Sequence, residues 1–255
     1  MSHRIKNAII IGAGLSGIEC ADALHKNGVK VTIIEQKEFI LPSILDQESA
    51  LFLQNHMTAQ GIKILTNQLI ESIDQNGQLI STQAEGQLEA DIIVFTTGLR
   101  PNSALAKEAG IALDDNGGVI VDDHLQASVK GVYAGGDLIA ITNTLTGHTN
   151  LSCTWPDAMM QGMCAAQAAF GGNGQPYKGA PIIVNSAFFG LNFAQAGLKQ
   201  PGLGQVKRLK KGSDFHQSFI LENDQLKGFV VLGNTHDYAQ LRRFILTGKS
   251  VEDFI

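Results

Sequence analysis

Three glycines and one acid near the start of the chain have the spacing of a dinucleotide-binding site. Gly12, Gly14 and Gly17 follow the apolar run 8–11, and Glu35 ends a second apolar run, 18 residues beyond Gly17. In this pattern the first glycine forms a tight turn, the second lets the backbone approach a pyrophosphate, and the third lets a helix pack closely on a strand. A carboxylate at the position of Glu35 accepts hydrogen bonds from ribose hydroxyls.

The helix expected after these glycines would supply the rest of the site. The backbone N–H groups of Leu15, Ser16 and Gly17 would face the phosphates, with the positive end of the helix dipole behind them. Because the Glu35 carboxylate repels the 2′-phosphate of NADP, the pattern predicts NAD(H) as the cofactor. The alternative for the three glycines is a glycine-rich turn that binds nothing. The alternative for Glu35 is a solvated acid at the end of a strand.

The composition of the 255-residue chain argues against several other classes of function. A net charge of −5 argues against a nucleic-acid-binding surface, and no apolar run approaches the length of a membrane span. The first residues lack the layout of a signal peptide, so we expect a cytoplasmic protein. The three cysteines form no CxxC pair and the seven histidines are scattered, which predicts neither a metal site nor a disulfide relay. No side chain is assigned a catalytic role.

The residues before Ser103 predict an α/β domain with a parallel sheet. Apolar strands alternate with two amphipathic helices, the second of which begins near Asp46 and ends at Gly61. Asn76-Gly77 lies between two short apolar runs and predicts a hairpin with a type I′ turn, inside an inserted β-meander. Strands are expected at residues 8–11, 29–34, 62–65, 69–73, 79–82 and 91–95, and the first helix at 16–26.

Beyond Ser103 the predicted elements are shorter. A helix over 103–109 precedes two brief strands, in GGVIVDD and GVYAGGD, and a polar loop from Thr142 to Cys153. Pro156 favours the first turn of a helix that reaches about Phe170. The remaining residues predict antiparallel strands around 188–193, 217–221 and 226–232, and a last helix over 237–246.

Four blocks of the sequence resemble, in the same order, the two-dinucleotide flavoprotein reductases of the FAD/NAD-dependent pyridine nucleotide-disulfide oxidoreductase superfamily. The resemblance is to the branch that holds rubredoxin and ferredoxin reductases, NADH oxidases and the nitrite reductase large subunit, and it covers nearly the whole chain. The blocks are GAGLSGIECA (12–21), LPSILDQESALFLQNHMTAQGI (41–62), DIIVFTTGLRPN (91–102) and GGVIVDDHLQASVKGVYAGGD (117–137).

The resemblance implies three domains. Residues 1–103 would form a Rossmann-type NAD(H)-binding domain, residues 104–178 the second half of a flavin-binding domain, and residues 179–255 an α+β C-terminal interface domain. Members of the family begin with a separate GxGxxG domain that holds the adenosine half of FAD, and this chain is expected to lack it. The motif at 12–17 is then the NADH motif, and FAD binding by this chain alone is left open.

The resemblance also assigns roles to four further residues. Glu19 would lie near the nicotinamide ribose or carboxamide, and Gly98 would let the cofactor approach the TTGLRPN loop. Asp137 resembles the acid that holds the flavin ribityl chain, and Trp155 lies in a segment that resembles the one near the flavin pyrimidine edge. The alternative for Glu19 is a helix acid favoured by the dipole, and that for Gly98 is a turn that ends a strand. Asp137 would otherwise be an acid without its ligand. Trp155 would otherwise be a core tryptophan.

The function implied is that of an NADH-dependent flavoprotein oxidoreductase, or of its NADH-binding portion. Hydride would pass from NADH to FAD, and electrons would pass on to a protein or small-molecule acceptor such as rubredoxin, ferredoxin, oxygen or a nitrite reductase centre. The interface-like C-terminal part favours a homodimer. The alternative is a non-catalytic NAD-binding regulatory or partner subunit without flavin.

A basic cluster is either a docking site for an acidic carrier or a solvated hairpin turn; it consists of Lys207, Arg208, Lys210 and Lys211.

Overall fold

The computed structural model describes residues 5–151, 154–172, 176–251 and 254 of the chain. The chain divides into two compact units, one of Met1–Gly98 with Ile183–Ile255 and one of Leu99–Ile182. None of the described helices combines the length and the apolar composition that crossing a membrane requires.

A four-stranded parallel sheet forms the centre of the first unit, in the order β3-β2-β1-β7. Ile10 lies beside Ile33 of β2 and Val94 of β7, and both isoleucines are fully buried. Such continuous apolar strands are typical of a parallel sheet that is covered on both faces. Up to residue 98 the elements are β1 (Asn7–Ile11), α1 (Leu15–Lys26), β2 (Lys30–Ile34), α2 (Gln47–Ala59), β3 (Lys63–Leu65), β4 (Ile70–Ile73), β5 (Leu79–Thr82), β6 (Gly86–Glu89) and β7 (Ile92–Phe95).

Both predicted helices of this segment are present, with ends within two residues of the expected ones. Asp46 caps α2, since its carboxylate accepts a hydrogen bond from the backbone N–H of Ser49 at 2.9 Å. Ile18 of α1 and Leu53 and Met57 of α2 are fully buried. Residues spaced three or four apart share one face of a helix, and these faces cover the sheet.

The predicted β-meander is confirmed, while the predicted turn type is wrong. β4, β5 and β6 form an antiparallel sheet, but Gly77 has a positive φ of 66° and Asn76 does not. A type I′ turn needs positive φ at both positions. The Asp74 carboxylate accepts hydrogen bonds from the backbone N–H groups of Gln78 and Leu79 at 2.7 and 2.8 Å. These bonds stabilise a longer loop in which one glycine is sufficient.

The second unit differs from the sequence prediction at two places. GGVIVDD and GVYAGGD form isolated bridges, such as Val119 with Ile139, rather than strands. Asp114 and Asp122 each accept hydrogen bonds from N–H groups two and four residues further on, so turns replace strand pairing. The predicted polar loop contains a hairpin of three-residue strands. Such strands are too short to show an alternation of apolar and polar residues in the sequence. Residues 152–153 of this loop lie outside the described part. The elements are α3 (Ala104–Glu108), β8 (Ala140–Thr142), β9 (Thr149–Leu151) and α4 (Trp155–Ala169).

The C-terminal segment adds a five-stranded antiparallel sheet to the first unit. The predicted pairing of residues 217–221 with 226–232 is confirmed, with Phe219 beside Phe229. Phe188 and Phe193 are fully buried in the same apolar core as Leu53 of α2. The elements are β10 (Ile183–Phe188), β11 (Leu191–Gly197), β12 (Val206–Lys211), β13 (His216–Glu222), β14 (Gln225–Leu232) and α5 (Tyr238–Thr247), with the sheet order β10-β11-β14-β13-β12.

The architecture is the predicted α/β class, with a parallel sheet, a meander and antiparallel sheets. The N-terminal and C-terminal segments share one compact unit, and residues 99–182 form the other. The division into domains at residues 103 and 178 stays a prediction.

Candidate dinucleotide site

The glycine loop between β1 and α1 packs directly on the end of β7. A Cβ atom on Gly12 would lie 2.5 Å from the carbonyl oxygen of Thr96, and one on Gly17 would lie 2.1 Å from the carbonyl oxygen of Gly12. The Thr96 hydroxyl shares its hydrogen between the carbonyl oxygens of Ile11 and Gly12, at 3.0 and 2.9 Å. Any side chain at Gly12 or Gly17 would force this loop away from β7.

The N-terminus of α1 presents backbone N–H groups and no side-chain cap. Gly14 is the N-cap residue, and a Cβ atom placed on it would meet nothing within 4 Å. The first intrahelical hydrogen bond runs from the N–H of Ile18 to the carbonyl oxygen of Gly14 at 3.0 Å, so the N–H groups of Leu15, Ser16 and Gly17 precede it. With no acid in the first turn, this helix end suits an anion such as a pyrophosphate.

The Glu35 side chain lies beside the glycine loop and is 7% exposed. Its Oε2 accepts a hydrogen bond from the backbone N–H of Ala13 at 2.7 Å, and its Oε1 accepts one from the N–H of Lys37 at 2.8 Å. A carboxylate oxygen can accept two hydrogen bonds, so each has capacity for one ribose hydroxyl. The alternative of a solvated acid is wrong, because this carboxylate is buried and bonded. The predicted contact with ribose stays a prediction.

The loop after Glu35 is folded onto the glycine loop. The backbone N–H of Leu41 donates to the carbonyl oxygen of Ala13 at 2.9 Å, and Ile40 and Leu41 are fully buried. The ammonium group of Lys199 donates to the carbonyl oxygen of Pro42, and burial lowers the pKa of this lysine. The loop is therefore fixed from both sides before any ligand binds.

Two of the other predicted site residues lie in the same unit as the glycine loop. Glu19 is exposed on α1, two residues beyond Gly17. Gly98 follows Thr96 by two residues, is exposed and has a φ of 102°, with nothing within 4 Å of an added Cβ atom. The positive φ accounts for the glycine at position 98 without a ligand. The cofactor contacts assigned to Glu19 and Gly98 stay predictions.

Asp137 and Trp155 belong to the second unit. Asp137 is exposed in a single 3-10 turn, Gly136–Leu138, whose first N–H donates to Gln161 Oε1 of α4 at 2.6 Å. Gln161 is buried and also donates to the Tyr177 hydroxyl at 3.1 Å. Trp155 is the first residue of α4 and is 76% exposed, so the alternative of a core tryptophan is wrong.

The sequence matches a known family over most of its length. The family model for pyridine nucleotide-disulphide oxidoreductases matches residues 2–162, which include the glycine loop, Glu35 and the start of α4. The chain belongs to this family.

Two relatives show how the family varies around this fold. The large subunit of the NADH nitrite reductase from Escherichia coli strain K12 is 27% identical over 254 residues, which are 96% of this chain and 29% of the relative. An NADH oxidase from Methanocaldococcus jannaschii is 30% identical over 183 residues, which are 71% of this chain and 40% of the relative. The chain therefore spans less than half the length of either relative.

A solved structure in the family agrees with almost the entire chain. The NAD-dependent persulfide reductase from A. fulgidus has a TM-score of 0.88 and 26% identity, and the match covers 98% of this chain and 50% of the other. The fold described above is therefore one half of a larger structure in that protein.

The family is named for a disulphide, and the described cysteines do not form one. Cys20 in α1 and Cys164 in α4 are free thiols in different units. Cys153 lies outside the described residues.

A cluster with cation-binding atoms lies at the N-terminus of α2, where Asp46, Glu48 and His216 bring ligand atoms within 4.8 Å of one another. Lys207 Nζ lies 3.2 Å from Asp46 Oδ2, and Lys211 pairs with Glu48. These ammonium groups already neutralise the carboxylates, so the cluster is a salt-bridge network and we assign no metal to it.

The same network corrects the interpretation of the basic cluster as a solvated hairpin turn. Lys207, Arg208, Lys210 and Lys211 all lie on β12, an edge strand of the antiparallel sheet. Charged side chains on an edge strand prevent pairing with a further strand, and two of these lysines bind the acids of α2.

The sequence prediction missed two residues at the dinucleotide site, Thr96 and Ala13, and one in the second unit, Gln161. Thr96 was predicted only as part of a loop, although a polar β-branched residue directly after an apolar strand is a usable signal. Ala13 contributes only its backbone, and Gln161 acts from the middle of a helix. Nothing in the types of Ala13 and Gln161 distinguishes them from ordinary loop and helix residues.

Proposed function

We propose that the chain binds NADH at the glycine loop and serves as the NADH-binding portion of a flavoprotein oxidoreductase. The observation that carries the proposal is the arrangement of Gly12, Gly14 and Gly17 around an uncapped helix N-terminus, with the Glu35 carboxylate beside them. The pyrophosphate would lie against the N–H groups of Leu15 to Gly17, and the adenosine ribose against Glu35.

The open space at Gly14 supports a bound dinucleotide. Gly12 and Gly17 are required by contacts within the protein, whereas an added Cβ on Gly14 meets no atom. The Gly14 φ of −75° is one that any residue adopts, so neither packing nor backbone strain explains this glycine. Close approach of a ligand backbone does explain it.

The chain offers part of a flavin site. Asp137 is exposed on a turn that Gln161 holds in place, and Trp155 opens a helix whose first N–H groups could stabilise negative charge. The parallel sheet of the described residues carries a single glycine loop of the dinucleotide type. Bound NADH and FAD would supply the redox chemistry, while the residues of this chain bind and orient them.

A non-catalytic NAD-binding subunit is the competing function. The two are separated by isolating the protein and recording its visible spectrum before and after NADH. A flavin spectrum that NADH bleaches supports the oxidoreductase. Colourless protein that binds NADH and does not take up added FAD supports the binding subunit for this chain alone.

The electron acceptor, the oligomeric state and the compartment are further parts of the proposal. The acceptor would be a redox protein, such as rubredoxin or ferredoxin, or oxygen or a nitrite reductase centre. We place the protein in the cytoplasm as a homodimer. The homodimer is supported by the resemblance of the C-terminal segment to an interface domain. Sedimentation of the purified chain and of variants in β10 to α5 tests the dimer.

A further inference from the structure

The segment between β2 and α2 lies on the glycine loop and carries a strained residue. Leu41 is fully buried and has a φ of 50°, in the left-handed region that leucine rarely adopts. The next residue is Pro42, and a residue before proline favours an extended backbone instead. Such a conformation persists only where the surrounding contacts hold it in place. We call residues 36–45 the strap.

Hydrogen bonds hold Leu41 between two parts of the first unit. Its carbonyl oxygen accepts from the N–H of Leu45 at 2.9 Å, and its own N–H donates to the carbonyl oxygen of Ala13 at 2.9 Å. From the other side, the ammonium group of Lys199 donates to the carbonyl oxygen of Pro42. The strap therefore joins the glycine loop to the segment that follows β11.

The bond from Leu41 determines the direction of the Gly14 N–H. The carbonyl group of Ala13 and the N–H of Gly14 belong to one trans peptide unit, so they point in opposite directions. Since the carbonyl group points at the strap, the N–H points away from it, and within the described residues it has no acceptor. The other polar group of Ala13, its N–H, donates to Glu35. Both orientations of this loop therefore depend on residues outside it.

The position of Lys199 is set by the antiparallel sheet. The N–H of the preceding Leu198 donates to the carbonyl oxygen of Lys227 in β14 at 2.9 Å. A Cβ atom on Gly228 would lie 1.8 Å from the carbonyl oxygen of Leu198, so the two backbones are in direct contact. The Lys199 side chain is half-buried, and a cation in such a place needs a bonded acceptor. Pro42 supplies that acceptor.

We propose that the C-terminal segment regulates dinucleotide binding through Lys199, which holds Pro42 so that Leu41 stays on Ala13 and the Gly14 N–H faces the pyrophosphate. This inference rests on the proposed function, because the ligand is the dinucleotide assigned there. Lys199 is a positioning residue, since it contacts the strap and acts through it. Linkage is reciprocal, so a bound dinucleotide stabilises the contact between Lys199 and Pro42 by the same factor as the contact raises affinity.

Lys199→Met tests the proposal by ligand affinity. It removes the donor and keeps an apolar side chain, and we expect the affinities for ADP and NADH to fall roughly tenfold. Adenosine has no pyrophosphate, so its affinity is expected to stay unchanged. Lys199→Arg retains a donor and is expected to restore most of the loss. Each affinity is measured by calorimetric titration under conditions where urea unfolding shows the variant to be folded.

Lys210→Met is the matched control. Lys210 belongs to the same sheet and also donates to a backbone carbonyl oxygen, that of Phe254 at 3.4 Å, away from the strap. This variant is expected to leave the affinities for ADP, NADH and adenosine unchanged.

Amide hydrogen exchange at Leu41 tests the link without a variant of the binding site. In the parent chain we expect slow exchange of the Leu41 N–H, and still slower exchange when NADH is bound. In Lys199→Met without nucleotide we expect faster exchange, with the parent rate in Lys210→Met. NMR spectroscopy of the isotope-labelled chain measures these rates.

The proposal is overturned if folded Lys199→Met keeps the parent affinities for ADP and NADH, even where its stability falls. It is also overturned if adenosine loses as much affinity as ADP, or if bound NADH leaves the Leu41 exchange unchanged in the parent chain. A parent chain that binds neither ADP nor NADH, with Leu41 exchange still controlled by Lys199, contradicts the proposed function. The link from Lys199 to the glycine loop would then stand without its nucleotide.

Discussion

The Glu35 carboxylate accepts a hydrogen bond from the backbone N–H of Ala13 at 2.7 Å, in a buried position. This bond joins the end of β2 to the turn between β1 and α1. The acid predicted to bind ribose therefore also holds the shape of the loop that would bind the pyrophosphate. Its removal has two consequences, one for folding and one for ligand choice.

Glu35→Ala is expected to lower the free energy of unfolding by about 1–3 kcal/mol, because the Ala13 N–H loses its acceptor in a buried position. The variant is also expected to weaken NADH binding more than NADPH binding, since the carboxylate disfavours only the 2′-phosphate. Urea unfolding and fluorescence titration with each nucleotide measure the two effects.

Glu35→Gln is the matched control for this variant. The amide oxygen can still accept from Ala13, so most of the stability is expected to return while the negative charge is absent. The preference for NADH over NADPH is expected to stay low. An equal loss of affinity for both nucleotides in both variants would refute the selector role of Glu35.

Gly17→Ala is expected to lower the stability of the protein, and Gly14→Ala is expected to lower its affinity for NADH. The Cβ of Gly17→Ala would lie 2.1 Å from the carbonyl oxygen of Gly12, and such overpacking costs about 1–3 kcal/mol of stability. Gly14→Ala places its Cβ in open space, so its stability is expected to stay within about 1 kcal/mol of the parent while NADH affinity falls. Thermal unfolding and NADH titration distinguish them. Full NADH affinity in Gly14→Ala would show that no ligand approaches this position.

The parallel sheet and the glycine loop were predictable from the sequence because local signals agree there. Apolar strands, a helix stop at Gly28 and the spacing to Glu35 all indicate the same βαβ unit. The same holds for α2, where Asp46 is the cap and Leu53 and Met57 lie on one face. Each of these signals is local in the sequence, although the sheet itself also pairs β1 with the distant β7.

The features that were missed depend on distant or side-chain-to-backbone contacts. Thr96 is hydrogen-bonded to Gly12, 84 residues away, and Lys207 forms a salt bridge with Asp46, 161 residues away. No local sequence pattern predicts either pair. The strands expected around 117–137 did not form, because the carboxylates of Asp114 and Asp122 accept hydrogen bonds from backbone N–H groups that follow them in the chain. The exposure of Trp155 could not be seen from its type, since tryptophan is more often buried.

Lys207→Ala is expected to destabilise the protein by about 3 kcal/mol, because it leaves the buried carboxylate of Asp46 without its cation. The Asp46 side chain is only 5% exposed. Lys63→Ala removes a similar pair with Glu85, but those side chains are 50% and 38% exposed, and the expected loss is below about 1 kcal/mol. Chemical unfolding of the two variants compares them. Equal losses would show that the Lys207 pair is screened by solvent like a surface pair.

His216 is expected to make the stability depend on pH. Its side chain is buried, and Nε2 lies 3.1 Å from the Ser49 hydroxyl. Burial lowers the pKa of His216 below the ordinary value of 6.5. The carboxylates of Asp46 and Glu48 act in the opposite direction, and the nearby ammonium groups of Lys207 and Lys211 act with burial.

The direction of this dependence follows from which state binds the proton. As the pH falls past about 6.5, the unfolded chain protonates this histidine while the folded chain keeps it neutral, so the free energy of unfolding decreases. The contribution of His216 is fully present above that pH and is lost as the pH falls towards the folded pKa. Glu48 adds a separate loss at lower pH, because its hydrogen bond with Lys211 lowers its pKa below 4.5. Urea unfolding of the parent and of His216→Gln from neutral to mildly acidic pH isolates the histidine. The parent should lose stability over this range while the variant stays nearly constant, and parallel curves would show that another group controls the transition.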